Sequence, residues 1–193
     1  LPEGENPRIR SYATSLRSAH DNTRDMVVAM MRELQEGFAY TLQPPTLPSR
    51  DAIDALWFDT RAGFCSHFAG AMVFTLRAAG VPARMVGGYQ GGEVNPVTGH
   101  VVVRQYLAHA WVEYWDADNG WVRVDPTSAV APERIESGLS AELSNNERSA
   151  LSIFTTARMG QGAILTDILQ WADSLEHQWN LWVVGYDADT QTS

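Results

Sequence analysis

Residues 61–80 read RAGFCSHFAGAMVFTLRAAG and predict a buried helix at the centre of the fold. Apolar side chains recur at helical spacing from residue 65 to residue 79, and Gly80 stops the helix before the proline that follows two residues later. Gly63 lets the backbone turn sharply just upstream, so Cys65 falls in the first turn of the helix. The apolar stripe consists of Phe68, Met72, Leu76 and Ala79.

The single cysteine of the chain, Cys65, has two opposing interpretations. A free cysteine is among the residue types most often buried, so a lone cysteine is ordinarily a small core residue. At a helix start, however, the thiol is close to the partial positive charge of the helix N-terminus, which favours the nucleophilic thiolate. One cysteine allows no internal disulfide and no four-cysteine zinc site. Its position makes Cys65 a candidate nucleophile.

Downstream of this helix the pattern changes to short β-rich runs. Asp118-Asn119-Gly120 lies between the last two runs and is typical of a hairpin turn. The acidic residues of this turn superficially resemble a calcium loop, but they lack the glycine and glutamate that an EF-hand needs at its sixth and twelfth positions. The predicted strands cover residues 84–89, 101–105, 108–115 and 121–124.

The last two predicted strands place His109 and Asp125 on one face of a hairpin. With the turn near residues 117–120, the two are either directly opposite or diagonal neighbours, and both are odd-numbered, so they share a face. The even-numbered positions are mostly apolar and are expected to face the core. Opposite Cys65, such a pair would supply a general base and the carboxylate that orients it.

Two other histidines compete with His109 for the role of base. His67 lies two residues from Cys65 on the same helix, so its side chain points elsewhere. His100 lies on a predicted neighbouring strand and stays open as a base, although no carboxylate is matched to it. On spacing alone, His109 is equally well explained as a catalytic base or as a histidine that only makes ordinary hydrogen bonds, because the hairpin register is approximate.

Composition predicts a folded domain and excludes some partners. The 193 residues are 45% hydrophobic and 19% charged, an ordinary globular mixture. The formal net charge of −9 disfavours nucleic acid, because phosphate binding needs clustered Lys and Arg. No stretch reaches the roughly 20 consecutive apolar residues of a membrane span. The first residues also lack the apolar core of a signal peptide.

Helices are predicted on both sides of the central motifs. Asn6-Pro7 is typical of a helix start, and Asn22 with Asp25 approximates the capping box of a second helix. A short helix is predicted around residues 52–58.

Near the C-terminus, apolar residues over 164–182 step by threes and fours, which predicts a last amphipathic helix. We therefore predict one domain over residues 1–158. Residues 159–193 are predicted as a C-terminal amphipathic helix that leads toward a membrane segment absent from this sequence.

Several motifs within residues 50–130 carry a resemblance to a known family. They occur in a fixed order along the chain, which makes the combination specific. The motifs are Gly63-x-Cys65-x-x-Phe68-Ala69, then Leu76-Arg77-x-x-Gly80-Val81-Pro82-Ala83-Arg84 with Tyr89, then His109-Ala-Trp-Val-Glu113, then Trp121-Val-x-Val-Asp125-Pro-Thr127.

These motifs resemble the transglutaminase-like superfamily of papain-fold enzymes. The resemblance implies an α+β, papain-like fold, in which a nucleophile helix packs on an antiparallel β-sheet with additional N- and C-terminal helices. It gives Cys65, His109 and Asp125 the roles of a catalytic triad. Calcium sites of the mammalian members have no recognisable counterpart, so we expect no metal site and no cofactor. The tryptophan that supplies their oxyanion donor cannot be placed, and Trp57 is the candidate beside the Cys65 backbone N–H.

Further stretches look like one bacterial branch of the superfamily, the multi-span inner-membrane proteins of the TgpA type, described as protein-glutamine gamma-glutamyltransferases. This resemblance implies a periplasmic domain, tethered by membrane helices that lie outside this sequence. The stretches are Arg61-x-Gly-Phe-Cys-x-His-Phe-Ala69, Gly88-Tyr-Gln-Gly-Gly-Glu93 and Trp179-Asn-x-Trp182-Val-Val-Gly-Tyr186.

The expected reaction is thiol-dependent acyl transfer from a glutamine donor to an amine acceptor, through a thioester on Cys65. The substrate is expected to be a protein or peptide. A thiol hydrolase (deamidase, peptidase or cell-wall amidase) would use the same triad, and a non-catalytic peptide-binding domain is the third class. The hairpin face that carries Trp111, Trp115 and Trp121 is either a substrate groove or ordinary packing.

Overall fold

The structure, a computed structural model, describes residue 1 and residues 4–132. The predicted C-terminal helix within residues 159–193, and with it the boundary at residue 158, lies outside the described residues. Within residues 4–132, no helix combines the length and the hydropathy that crossing a bilayer requires.

The described elements form an α+β fold whose main sheet is antiparallel, as predicted. The helices are α1 (Pro7–Ala19), α2 (Thr23–Gly37), α3 (Ala52–Asp54, continued by a π-helical segment Ala55–Thr60), α4 (Cys65–Ala78) and α5 (Thr127–Val130). The strands are β1 (Ala39–Tyr40), β2 (Ala62–Gly63), β3 (Ala83–Tyr89), β4 (Glu93–Val94), β5 (Val101–Val102), β6 (Ala108–Asp116) and β7 (Gly120–Val124).

The central helix is α4, which packs against both α1 and the sheet strand β6. It is apolar around most of its circumference, as expected for a helix enclosed on several sides. Its end matches the prediction, because Gly80 adopts a left-handed conformation and the Val81 N–H donates to the Leu76 carbonyl. The residues that α4 buries are Cys65, Phe68, Ala69, Ala71, Met72, Val73, Phe74, Thr75 and Leu76.

The three-stranded sheet has the order β3-β6-β7, and its register settles the geometry of the predicted hairpin. Val112 pairs with Val124 and Trp115 pairs with Trp121. This register makes His109 and Asp125 diagonal neighbours rather than direct partners. The even positions of β6 from 110 to 116 are buried, so they face the core as predicted.

The direction of α4 relative to the sheet fixes where its first residue lies. Helix α4 ends just before β3 begins, and the Arg77 side chain donates to the Ala83 carbonyl at 2.7 Å. The 14-residue helix and the seven-residue strand are both roughly 20 Å long and contact each other. Because only residues 79–82 connect them, we infer that the helix runs back along the strand that follows it. The N-terminus of α4 therefore lies at the end of the sheet where β6 begins and β7 ends.

Residues Gly91–Arg104 belong to a second compact unit of the chain. Strands β4 and β5 pair there as a separate two-stranded sheet, with Val94 opposite Val101. The strand predicted over residues 101–105 is therefore correct only for its first two residues. His100 precedes β5, and its Nδ1 is hydrogen-bonded to the Thr98 hydroxyl.

The starts of α1 and α3 cap one another. The Asp54 carboxylate is buried and accepts the Arg8 and Ile9 backbone N–H groups, at 2.9 and 2.8 Å. The Asn6 side-chain oxygen in turn accepts the Ile53 and Asp54 N–H groups, at 2.9 and 3.1 Å. Each helix start thus receives its cap from a residue more than 40 positions away in sequence.

We predict that Asp54→Ala destabilises the fold without removing any group from the site near Cys65. The substitution leaves two N–H groups of α1 without an acceptor, a buried one at Ile9 and a partly buried one at Arg8, which costs about 1–3 kcal/mol of unfolding free energy. Urea unfolding followed by circular dichroism measures the change. Asp59→Ala is the control, because Asp59 forms only an exposed ion pair with Arg8 and its loss costs at most about 1 kcal/mol. Equal destabilisation by the two variants would contradict the reciprocal caps.

Candidate active site

Cys65 is the first residue of α4, as predicted, and is 8% exposed. Phe64 before it is extended and accepts the His67 N–H through its backbone carbonyl, at 2.9 Å. Because the first N–H groups of a helix have no carbonyl partners within it, the thiol lies in the positive end of the helix dipole. This environment favours the thiolate over the neutral thiol.

The segment upstream of Cys65 is held on two sides. Strand β2 pairs in parallel with β1, and the Thr41 N–H donates to the Gly63 carbonyl at 2.8 Å. His67 Nδ1 accepts the Phe64 N–H at 3.4 Å, so His67 contributes to the start of its own helix. Burial lowers the pKa of His67, which keeps Nδ1 free to accept. His67 therefore acts on the local backbone, and the prediction that it points away from the base position is consistent with this bond.

His109 and Asp125 form a direct and largely buried pair. His109 Nε2 donates to Asp125 Oδ2 at 2.7 Å, and the two side chains are only 1% and 12% exposed. The other ring nitrogen, Nδ1, is buried. The Cys65 thiol interacts with this imidazole through a hydrogen bond and through its charge. The structure thus brings Cys65, His109 and Asp125 together.

The Asp125 carboxylate is fixed by the chain that follows it. Its second oxygen, Oδ1, accepts the Thr127 N–H at 3.1 Å, and the Asp125 carbonyl accepts the Ser128 hydroxyl at 2.7 Å. These bonds belong to the turn that starts α5. One oxygen of Asp125 is therefore held by the backbone, which leaves the other directed at His109.

The charge of His109 is set by burial and by its two partners. Burial lowers its pKa, because a nonpolar environment penalises the imidazolium. The hydrogen bond to Asp125, the hydrogen-bonding interaction with Cys65 and the negative charges of both groups outweigh burial and raise the pKa from 6.5 to about 9. At neutral pH the ring is therefore protonated, as in a thiolate–imidazolium pair.

Trp57 does not supply the expected oxyanion donor. Its side chain is fully buried, and its indole N–H donates to Glu33 Oε1 at 3.1 Å. The Tyr12 hydroxyl donates to the other oxygen of Glu33 at 2.5 Å, and burial followed by this bond raises the pKa of Tyr12. Trp57 is thus committed to a core hydrogen-bond network, because a buried N–H without an acceptor is costly.

The three tryptophans of the hairpin face occupy two different places. The Trp111 ring lies beside His109, with centroids 6.3 Å apart and planes inclined by 27°. Trp115 and Trp121 form a cross-strand pair that is 45% and 43% exposed. Trp115 is six residues from His109, which corresponds to about 20 Å along a strand. Only Trp111 therefore adjoins the reacting groups.

Metal ligands are not grouped within the described residues: nowhere in residues 4–132 do three or more His, Cys, Asp or Glu side chains lie together as a candidate metal site. The hairpin turn that resembles a calcium loop is closed by its own bonds instead. Asp116 Oδ1 accepts the N–H groups of Asp118 and Asn119, at 3.2 and 3.0 Å.

Comparison with known proteins places these residues in a family context. Residues 10–126 match the model of the transglutaminase-like superfamily, which is more than half of the chain. The chain belongs to the transglutaminase-like superfamily. Among curated proteins similar to this chain, a protein-glutamine gamma-glutamyltransferase of Pseudomonas aeruginosa is 48% identical over 194 residues, which cover 99% of this chain and 29% of that protein. The uncharacterized protein YebA of Bacillus subtilis is 38% identical over 134 residues, 66% of this chain and 18% of YebA.

A solved structure similar to this chain has the same fold. The periplasmic domain of TgpA from Pseudomonas aeruginosa superimposes with a TM-score of 0.71 and 55% identity, over 74% of this chain and 50% of that domain. The chain thus spans less than a third of this curated relative and half of this solved domain.

Sequence reasoning assigned no structural role to two residues that the structure pairs with candidate site residues. The Glu33 carboxylate accepts hydrogen bonds from both Tyr12 and Trp57. Glu33 lies in an ordinary helical pattern, so nothing in the sequence predicts these two bonds. Gly88 pairs with His109 across the β3–β6 ladder. Its signal was present, because a glycine inside a predicted strand often marks close approach of a neighbouring group.

We predict that Asp125→Asn lowers the pH at which activity is lost on the alkaline side. In the wild type the imidazolium persists as pH rises and is lost near its pKa of about 9. The amide removes the charge of Asp125 and weakens the hydrogen bond, so the His109 pKa falls toward 6.5 and the alkaline limb of kcat/KM moves down with it. Turnover should also fall strongly, by up to roughly 10⁴-fold as in a serine triad.

The matched control for this prediction is Asp118→Asn, an acidic residue in the turn of the same hairpin. Its profile should overlay that of the wild type. An Asp125→Asn enzyme with wild-type turnover and an unchanged alkaline limb would remove Asp125 from the mechanism.

Proposed function

We propose that the domain catalyses acyl transfer through a thioester on Cys65, with His109 as general acid and base and Asp125 as the orienting carboxylate. The observation that carries the proposal is the buried His109–Asp125 hydrogen bond of 2.7 Å beside a thiol at a helix N-terminus. The raised pKa of His109 supports it, because a protonated imidazole stabilises the thiolate. A buried structural cysteine would need no such pair.

The first half-reaction begins with the Cys65 thiolate attacking the side-chain carbonyl carbon of a glutamine. We expect backbone N–H groups at the start of α4, including that of Cys65, to stabilise the oxyanion, because the first N–H groups of a helix have no carbonyl partners within it. The carbon–nitrogen bond then breaks, and the imidazolium gives its proton to the leaving ammonia. His109 is left neutral and Cys65 carries the acyl group as a thioester.

The second half-reaction reverses these roles. A neutral lysine amine attacks the thioester carbon, His109 accepts the proton of the amine, and the Cys65 thiolate leaves. The product is an isopeptide, and the thiolate–imidazolium pair is restored. Because Nε2 is hydrogen-bonded to Asp125, Nδ1 is the nitrogen that gives up a proton in the first half-reaction and accepts one in the second.

The proposed donor is a glutamine residue of a protein or peptide, and the proposed acceptor is a primary amine. The name of the 48% identical Pseudomonas aeruginosa protein supports this choice over hydrolysis. We also propose that the domain works in the periplasm, which rests on the TgpA periplasmic domain as its structural relative. The exposed Trp115–Trp121 pair would contact a peptide beyond the glutamine itself.

The activity test uses a glutamine-containing donor protein and a labelled primary amine. Wild-type enzyme should incorporate the amine into the donor, whereas Cys65→Ala should show no turnover while it keeps the wild-type circular dichroism spectrum. Release of ammonia with glutamate formation, and no amine incorporation, would assign the domain as a hydrolase. A Cys65→Ala variant that unfolds far below the wild type would instead favour a core role for Cys65.

The charge state of Cys65 is testable without a substrate. Alkylation by iodoacetamide should stay fast well below the pKa of about 8.5 of a free thiol, because the thiolate is stabilised by His109 and by the helix N-terminus. His109→Ala should move the pH profile upward, and His100→Ala should leave it unchanged. A wild-type profile centred at the pKa of a free thiol would contradict the proposed function.

A further inference from the structure

Gly88 leaves a space that Trp111 fills. A Cβ atom added at Gly88 would lie 2.7 Å from Cη2 of the Trp111 ring, closer than such contacts occur, and 3.0 Å from Cζ3, which is an unusually tight contact. A Cβ atom added at Gly87 would meet nothing within 4 Å. Neither glycine has a positive φ, so the backbone itself accepts alanine at both positions. The requirement for glycine at position 88 therefore comes from the indole alone.

Trp111 has charged groups of the site on both sides. Its ring lies beside His109, and the Arg123 guanidinium lies over it, 4.6 Å from the ring centroid. Arg123 Nη2 is also 3.9 Å from Asp125 Oδ2, the oxygen that accepts the His109 hydrogen bond. These four side chains, His109, Trp111, Arg123 and Asp125, therefore lie next to one another on one face of the sheet.

The contribution of Trp111 to this group is packing. Its indole N–H is buried and has no hydrogen-bond partner among the described residues. His109 is 1% exposed, although it lies on the face of the hairpin opposite to the core positions. The flat Trp111 ring is one of the neighbours that cover it, because neighbours on one face of adjacent strands are within reach of aromatic rings.

We propose that Trp111 is a positioning residue, whose ring holds the His109 imidazole against Asp125 and excludes water from the pair, and that Gly88 is the residue that makes room for it. This inference rests on the proposed function, since it assigns Trp111 a role through His109. A methyl group at position 88 cannot be added without moving the ring. Moving the ring shifts its neighbour His109, and a displacement of about 1 Å in a catalytic group can cost roughly 100-fold in rate.

The test compares Gly88→Ala with Gly87→Ala, two variants that add the same methyl group at adjacent positions of β3. We expect Gly88→Ala to lower kcat/KM by about 10–100-fold and to move the alkaline limb of its pH profile to lower pH. The reason is that the new methyl group displaces the Trp111 ring, and with it the His109 imidazole, while both stay buried. The pH profile of Cys65 alkylation should move upward in the same variant. Gly87→Ala should match the wild type in all three measurements.

A second comparison removes the atoms that the new methyl group contacts. The phenyl ring of Trp111→Phe lacks the distal indole atoms, so Gly88→Ala should cost much less in the Trp111→Phe background than in the wild type. If Gly88→Ala fails to fold, the pH profile of kcat/KM is measured for Trp111→Phe alone. An alkaline limb displaced from the wild-type pH supports the inference, and an alkaline limb at the wild-type pH overturns it.

Other outcomes separate this inference from the function on which it rests. If wild-type Cys65 alkylates like a free thiol, the proposed function fails first. If the wild type shows a His109-dependent profile but Gly88→Ala and Gly87→Ala behave alike, the triad stands and the role of Trp111 is overturned. A loss of rate in Gly88→Ala that is equally large in the Trp111→Phe background also overturns it.

Discussion

The packing of α4 against the sheet is the constraint on which the site depends. The helix is buried over most of its length, so its apolar side chains hold it in place along the sheet. It runs antiparallel to β3, and Arg77 ties its last turn to the start of that strand. Its first residue, Cys65, is therefore held at the sheet end that carries His109 and Asp125. The position of this candidate nucleophile is therefore set by core burial rather than by contacts with a substrate.

The electrostatics of the site follow from a balance between burial and pairing. Burial lowers the pKa of His109, yet the ring is protonated at neutral pH because Asp125 and the Cys65 thiol both favour the charged form. Asp125 keeps this influence because the Thr127 N–H binds its other oxygen. The pair also links protonation to folding. Its stabilising contribution is complete below about pH 6.5 and is lost as pH rises through about 9.

Residue patterns predicted local structure well and long-range partners poorly. The start and end of α4, the hairpin turn and the shared face of His109 and Asp125 all follow from spacing and turn chemistry over a few residues. Trp57 was assigned wrongly because its acceptor, Glu33, lies on a different helix. The strand after His100 was predicted too long, since runs of valine favour strands whether or not a partner strand is present.

The sequence by itself determined the first two helices, α4, the β6–β7 hairpin, the family and the identity of the candidate triad, because these depend on residue types at fixed local spacing. Only the tertiary structure decided the diagonal register of the pair, the direction in which the His109 nitrogens point and the charge of the ring. It also decided that Trp111 occupies the space beside Gly88. These features depend on distances between separate strands and helices. Such distances are set by how the whole core packs, which no local pattern records.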